Sequence, residues 1–268
     1  MLKQRFITAV VAALLLFVIL FALPQLLARG IIACLLIIGA WEWSGFLDAE
    51  KPGRYAFFMV AAGMIISMYF GLVPVGNVKM IFQVALLWWV FAFIWTFFFP
   101  TPIPKAIAWL CGILVIVPAY VALDWLYQIS PWVLLFMLLI VWLADIGAYF
   151  AGKAFGRVKL APDISPGKTW EGVIGGLVAV VALIVIESFW LGFPVSSIIP
   201  LALAVAVISV VGDLTVSMFK RTAGVKDSGT LFPGHGGFLD RADAIMAAAP
   251  VFSLGLIWFG PSVLGLPL

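Results

Sequence analysis

The sequence predicts an all-α, polytopic membrane protein, on the strength of its composition, its hydropathy and the length of its apolar runs. Hydrophobic residues make up 65% of the 268 residues and charged residues only 10%, with a mean hydropathy of +1.24. A soluble domain carries about 25% charged residues and could not bury this much apolar surface, while disorder requires low hydrophobicity. Helices are favoured over a membrane β-barrel because the runs are apolar on every side rather than alternating.

Nine segments reach the roughly 20 apolar residues that a helix needs to span a bilayer. The first follows basic residues, as a signal peptide would, but no small-residue cleavage motif follows it and we interpret it as a helix. We expect spans at Phe6–Leu23, Gly30–Leu47, Tyr55–Leu72, Ile81–Phe99, Ile107–Asp124, Trp132–Gly152, Gly172–Phe193, Ser197–Ser217 and Ala244–Leu264. About five spans form an N-terminal region, residues 1–130; the C-terminal region, residues 131–268, carries two long polar loops, 153–171 and 218–243.

The basic residues predict the orientation, because cytoplasmic loops are enriched in Lys and Arg. With the N-terminus in the cytoplasm and nine spans, thirteen of the fifteen basic residues lie on the cytoplasmic side and only Arg29 and Lys79 on the far side. Miscounting one helix in the N-terminal half would destroy this asymmetry, so the count and the orientation support each other. Both long loops are therefore expected in the cytoplasm and the C-terminus on the opposite side.

Two aspartates within the predicted spans, Asp145 and Asp213, need an explanation because a charge in the bilayer is costly. Each is followed at helical spacing by polar side chains on its own face, among them Ser217 four residues after Asp213. A neighbouring lysine that snorkels would neutralise each acid, but a functional site is favoured because both acids lie on the side of the polar loops. Glu187, toward the opposite end of its span, is interpreted as interfacial or structural, and the sequence leaves the role of Glu42 open.

The second loop, residues 218–243, is the densest polar segment, and its acids and bases are interleaved. Asp240 and Asp243 share one face if the last span has begun by then, and paired carboxylates suit a hard divalent cation. Glycines let backbone amides approach a ligand closely, and Lys and Arg supply charge for phosphates; these residues are Gly229, Gly234, Gly236, Gly237, Lys220, Arg221, Lys226 and Arg241. The chain's one histidine, His235, is a candidate general base or a residue that orders the loop. The alternative for the whole segment is a structured basic loop that meets lipid headgroups.

The first loop, residues 153–171, contains a Gly-Lys-Thr triplet at 167–169 that is similar to the end of a nucleotide-binding P-loop. That motif requires glycine where this chain has Pro162, and a preceding strand that the sequence does not predict, so we reject it. Ser165 and Lys168 remain candidates for binding phosphate at the N-terminus of the following helix.

Carboxylates at metal-ligand spacing, a glycine-rich loop and clustered basic residues indicate phosphoryl or nucleotidyl transfer between a lipid phosphate and a water-soluble nucleotide. A secondary transporter for an anion would also contain buried acids, but it would place polar groups near the bilayer midplane and show similar halves. A lipid-alcohol kinase is a second alternative; it releases a nucleoside diphosphate, whereas a nucleotidyltransferase releases pyrophosphate.

Residues Ser217–Asp243 resemble the signature of the bacterial phosphatidate cytidylyltransferases, also called CDP-diacylglycerol synthases. The match reads Ser-x-x-Lys-Arg, four residues, Lys-Asp, then Pro-Gly-His-Gly-Gly-x-x-Asp-Arg-x-Asp. Segments similar to the family also occur in the expected order at residues 145–149, 165–172 and 212–214. The resemblance is specific from about residue 142 to 243, and its departures, such as Ile146 and Ala242, remove no charged group.

The resemblance implies that the chain condenses CTP with phosphatidate to give CDP-diacylglycerol and pyrophosphate in phospholipid biosynthesis, with magnesium. It further implies a homodimer in the bacterial inner membrane with a cytoplasmic active site; the partners are the two substrates and membrane lipids, and no nucleic acid is expected. The expected metal ligands are Asp227, Asp240 and Asp243, with Asp145 or Asp213 contributing. A second, monovalent cation is compatible with such an acid cluster, although no sequence pattern indicates it.

The remaining site residues divide by role in the expected in-line attack of the lipid phosphate on the α-phosphorus. Those expected to bind substrate are Ser165, Lys168, Ser217, Gly234, Gly236 and Gly237. Those expected to act on the reacting phosphates are Lys220, Arg221, Lys226, His235 and Arg241.

Overall fold

The computed structural model describes residues 2–47, 51–72, 77–191, 195–231 and 236–260. Within that part, each predicted span corresponds to one long helix, with its ends shifted by a few residues. The helices are α1 (Leu2–Phe21), α2 (Gln25–Ser44), α3 (Lys51–Tyr69), α4 (Val78–Thr96), α5 (Lys105–Ile129), α6 (Pro131–Phe155), α7 (Trp170–Leu191), α8 (Val195–Thr222) and α9 (Leu239–Phe259). A short 3-10 turn, Gly45–Leu47, extends α2. The all-α prediction is confirmed for the body of the molecule.

Seven of these helices, α2 and α4 to α9, are long and apolar enough to cross a membrane. The chain is therefore a multi-pass membrane protein. Helix α3 begins with Lys51 and Arg54, which lower its hydropathy. In α1 the apolar stretch is Val11–Phe21, which is shorter than a membrane span. The count of nine spans and the side on which each terminus lies stay predictions.

Contacts between helix ends show that α5 runs antiparallel to α2 and that α2 and α8 end on the same side of the bundle. The Trp43 ring, near the end of α2, lies 4.8 Å from the Phe219 ring near the end of α8, and its Nε1 donates to the Ala108 carbonyl near the start of α5 at 3.1 Å. At the other end of the bundle, Arg29 of α2 forms an ion pair with Asp124 of α5 at 2.6 Å. Both polar loops therefore lie at one end of the bundle, here called the loop end; the other is the far end.

Helices α6 and α7 pack through small residues that let their backbones approach closely. A Cβ placed on Gly176 would lie 2.6 Å from the Ala144 carbonyl oxygen, and one on Gly147 would lie 2.8 Å from the Gly175 carbonyl oxygen. Small residues at such crossings are the usual basis of helix association in membranes, where the hydrophobic effect between helices is absent. This interface holds the face of α6 that carries Asp145 against the start of α7.

A two-stranded hairpin between α6 and α7 is the feature of the fold that the sequence did not predict. Strands β1 (Lys159–Ala161) and β2 (Ser165–Thr169) pair antiparallel, and both are too short to show an alternating pattern. The triplet at 167–169 lies inside β2, which leads directly into α7, so the strand–loop–helix order of a P-loop does not occur there. The Thr169 hydroxyl accepts a hydrogen bond from the Gly172 amide at 3.1 Å and caps α7, and this fixes the position of Lys168 beside the helix start.

Candidate active site

The centre of the candidate site is an ion pair between the hairpin and α8. Lys168 Nζ lies 2.5 Å from Asp213 Oδ2, and both side chains are partly buried. The Ser217 hydroxyl donates to Asp213 Oδ1 at 3.2 Å, one turn further along α8. Sequence analysis placed Asp213 and Ser217 on one helical face, as observed, and named Lys168 as a substrate ligand; the structure brings all three together.

Two more aspartates lie within electrostatic range of this ion pair. Asp145 of α6 and Asp243 of α9 are each repelled by Asp213 and attracted by Lys168. Asp243 is buried, 7% exposed, and its Oδ1 accepts from the Ala244 amide at 2.8 Å, whereas Asp145 lies at the surface of α6. Three carboxylates thus lie within electrostatic range of Lys168, with Lys220 also attracting Asp243, and this concentration of acids favours binding of a cation.

Lys220 and Asp240 form a second, more deeply buried ion pair beside the first. Their atoms Nζ and Oδ1 are 2.7 Å apart, and the side chains are 9% and 7% exposed. Asp240 Oδ2 also accepts from the Ser228 and Gly237 amides, each at 2.8 Å. We predicted Asp240 as a metal ligand and Lys220 as a phosphate-binding residue; in the structure their charges meet each other, and Asp240 holds the loop against α9.

Glu42 belongs to this region, although its role could not be assigned from the sequence. Its carboxylate accepts hydrogen bonds from the Phe238 and Leu239 amides at 2.8 Å and from the Ser228 hydroxyl at 2.7 Å. The nearest sequence signal was a glutamate at the loop end of an apolar span. Its partners lie almost two hundred positions away in the sequence, so no local pattern identifies them.

The other predicted site residues lie around this core without direct contact to it. Arg221 Nε donates to the Ile164 carbonyl at 3.2 Å, so α8 is tied to the hairpin loop. Lys226, Asp227 and Arg241 are exposed at the loop end, and Gly236 has a φ of 83° that favours glycine. Ser165 begins β2 opposite Ala161. Gly234 and His235 lie outside the described residues, and their predicted roles stay predictions.

The carboxylates fit magnesium by their chemistry, although they do not form an all-protein cage. Among residues that the structure describes, no three His, Cys, Asp or Glu side chains lie close enough together to hold a metal ion by themselves. Magnesium is usually bound in enzymes by one or two carboxylates, by water and by substrate phosphates rather than by a complete protein shell. Asp213 and Asp243, with Asp145 within electrostatic range, are the described carboxylates whose chemistry fits such a partial shell.

The alternative interpretation, neutralisation of each acid by a neighbouring lysine, is met for Asp213 and stays a prediction for Asp145. Asp213 pairs with Lys168 of the hairpin rather than with Lys220. Lys153 Nζ, eight residues after Asp145, lies 5.9 Å from the centre of the Tyr149 ring. Asp145 and Asp213 both belong to the charge cluster between α6, α8 and α9.

Comparison with known proteins agrees with the sequence resemblance. The model of the cytidylyltransferase family matches residues 3–259. A phosphatidate cytidylyltransferase of Pseudomonas aeruginosa is 39% identical over 96% of this chain and 97% of the relative. One of Haemophilus influenzae is 37% identical over 94% of this chain and 98% of the relative. The chain belongs to the cytidylyltransferase family.

Proposed function

We propose that the chain is a phosphatidate cytidylyltransferase that condenses CTP with phosphatidate to give CDP-diacylglycerol and pyrophosphate. The observation that carries the proposal is the charge cluster of Lys168, Asp145, Asp213 and Asp243 at one end of a membrane bundle. A lysine suits phosphate and carboxylates suit a cation, and one end of a membrane bundle is accessible both to a lipid headgroup and to a soluble nucleotide. Near-full-length relatives that carry this enzyme's name support the same conclusion.

The reaction requires positioning and charge stabilisation more than proton transfer. An oxygen of the lipid phosphate, already ionised at neutral pH, forms a bond to the α-phosphorus of CTP, and the bond from that phosphorus to the bridging oxygen of the β-phosphate breaks. Magnesium, held by Asp213 and Asp243 with Asp145 nearby, supplies charge stabilisation to the phosphates when bound.

The basic residues of the site have different roles in this reaction. Lys168, on the rigid hairpin, can exchange Asp213 for a phosphate oxygen, because an ammonium binds either anion as a point charge. The exposed Lys226 at the loop end is expected to bind the departing pyrophosphate, with Arg241 adding positive charge beside it. Lys220 holds Asp240 and thereby orders the loop that carries these two residues.

A transporter is disfavoured by the location of the acids. Asp145, Asp213 and Asp243 lie toward the loop end, within about three turns of the helix end in each case. A transporter site would lie near the midplane, between repeats. A lipid-alcohol kinase is separated from the proposed enzyme by its products.

The deciding experiment incubates the purified protein with phosphatidate and CTP labelled in the base and, separately, in the γ-phosphate. We expect the base label in the lipid fraction and the γ label in pyrophosphate. Because phosphatidate has no free hydroxyl, a parallel incubation uses diacylglycerol in its place. Release of cytidine diphosphate with the γ-phosphate transferred to diacylglycerol would show a kinase instead. We further propose that the enzyme works as a homodimer in the bacterial inner membrane with the loop end in the cytoplasm, and cross-linking in native membranes tests the dimer.

A further inference from the structure

Glu42 is a buried carboxylate of the N-terminal region that reaches the loop of the candidate site. It lies two residues before the end of α2 and is 7% exposed. Its three acceptor contacts, to the Phe238 and Leu239 amides and to the Ser228 hydroxyl, are all 2.8 Å or shorter. A buried carboxylate is stable only where hydrogen bonds replace its lost hydration, so these contacts hold both Glu42 and its partners in place.

The Glu42 carboxylate caps α9 from another helix. Phe238 is the N-cap residue of α9 and offers no side-chain capping bond, and Glu42 satisfies the Phe238 and Leu239 amides, which have no acceptor within the helix. A negative charge at this position is also stabilised by the helix dipole. The first turns of α9 carry Asp240 and Asp243. By holding the start of α9, Glu42 therefore fixes the positions of both aspartates.

Ser228 extends this contact to the second ion pair. Its hydroxyl lies 2.7 Å from Glu42 Oε2 and 3.0 Å from Asp240 Oδ2, and its amide donates to Asp240. Asp240 in turn binds Lys220 of α8. A continuous set of hydrogen bonds therefore runs from α2 through the loop to α9 and α8, the helices that carry Asp243 and Asp213.

Two glycines of the loop lie directly against the Glu42 carboxylate. A Cβ on Gly229 would lie 2.7 Å from Glu42 Oε1 and 3.0 Å from its Cδ, and a Cβ on Gly237 would overlap both carboxylate oxygens. Neither glycine has a φ in the left-handed region. Their backbone conformations would therefore accept alanine, and the space occupied by Glu42 is what requires glycine.

We propose that Glu42 is a positioning residue for cytidylyl transfer, which acts by fixing the loop and the start of α9 so that Asp243 and Lys220 are correctly placed. The inference rests on the proposed function and extends it to the N-terminal region. Because the contacts of Glu42 hold the loop and the start of α9, its loss should lower kcat more than it changes KM.

The first test compares Glu42→Gln with Asp124→Asn in purified, detergent-solubilised enzyme, measured by pyrophosphate release with CTP and phosphatidate. The amide of Glu42→Gln presents an N–H group toward N–H donors, and misplacement by a fraction of an ångström is costly, so kcat should fall about tenfold or more with KM for CTP within about threefold of wild type. Asp124 is the matched control, a buried carboxylate that binds Arg29 and Gln128 at the far end. Asp124→Asn should lower the melting temperature and leave kcat of the folded enzyme near wild type.

The second test uses steric compensation, which a general loss of stability would not reproduce. Gly229→Ala should lower kcat because the new methyl group displaces the Glu42 carboxylate. Glu42→Asp shortens that side chain by one methylene, so the double variant Glu42→Asp/Gly229→Ala should be more active than the product of the two single losses.

The outcomes separate this inference from the proposed function. An inactive wild-type protein with no cytidylyl transfer would overturn the function itself. An active wild type together with full kcat in Glu42→Gln or in Gly229→Ala would overturn the positioning role alone. If Glu42→Gln does not fold, the compensation test still decides, since purely multiplicative losses in the double variant contradict the proposal and a recovery supports it.

Discussion

The ion pair between Lys168 and Asp213 sets the charge at the centre of the candidate site. In the absence of substrate the lysine offsets one of three carboxylates, Asp145, Asp213 and Asp243. A nucleotide triphosphate offers the same lysine a more highly charged anion, and the released carboxylate becomes available to the accompanying cation. Substrate and metal binding are therefore expected to be coupled at this residue pair.

Asp213→Asn tests that coupling. The substitution keeps the side-chain size but removes the charge that meets both Lys168 and the cation, so turnover should fall at least about 100-fold. The rise in melting temperature that magnesium and CTP produce should also shrink, because a ligand stabilises only the state that binds it. Full turnover with an unchanged magnesium-dependent shift would remove Asp213 from the site.

Single residues also mark the limit of sequence reasoning for this site. The spacing of Asp213 and Ser217 predicts a shared helical face, and the observed 3.2 Å contact agrees with it. The partners of Lys220 and Glu42 depend on how helices distant in sequence meet, and spacing along one helix contains no information on that. Asp240 shows the same limit, since its spacing suited a metal ligand while its oxygens bind Lys220, Ser228 and Gly237.

At the scale of elements, the apolar runs predict the helices well because a bilayer leaves the backbone little alternative to helical hydrogen bonding. The hairpin lies outside the apolar runs and follows local rules of turns and short strands, which are weak in strands of three and five residues. It nevertheless positions Lys168, so the element that sequence analysis missed carries a central residue of the site.

The contact between α6 and α7 allows a paired glycine experiment. Gly176→Ala should lower the melting temperature and the turnover, because the added methyl group would lie 2.6 Å from the Ala144 carbonyl oxygen and force the helices apart. Gly63→Ala is the control, since this helical glycine of α3 has no atom within 4 Å of an added Cβ. Its melting temperature should stay level or rise, as alanine is the better helix former by about 0.5–1 kcal/mol. Equal effects of the two substitutions would contradict the close packing of α6 and α7.

At the scale of the whole molecule, α3 decides how many times the chain crosses the membrane in its N-terminal half. The Tyr69 hydroxyl, at the end of α3, donates to the Leu26 carbonyl near the start of α2 at 3.1 Å. The Arg54 guanidinium, near the start of α3, lies 5.5 Å from the Trp41 ring near the end of α2. Helix α3 thus runs antiparallel to α2 along its length, and we expect it to span the same thickness as α2 despite its lower hydropathy.

This arrangement, together with the unequal distribution of Lys and Arg, predicts a cytoplasmic loop end and a C-terminus on the opposite side. A cysteine added after Leu268, in a background with Cys34 and Cys111 replaced by alanine, should react with a membrane-impermeant maleimide applied to intact spheroplasts. A cysteine in place of the exposed Lys226 should react only after the membrane is permeabilised, because the loop that carries it is expected among the cytoplasmic positive charges. Labelling of Lys226→Cys in intact spheroplasts would show that the protein has the opposite orientation. Protection of both cysteines would contradict the prediction, because α9 lies between the two positions and would then not cross the membrane.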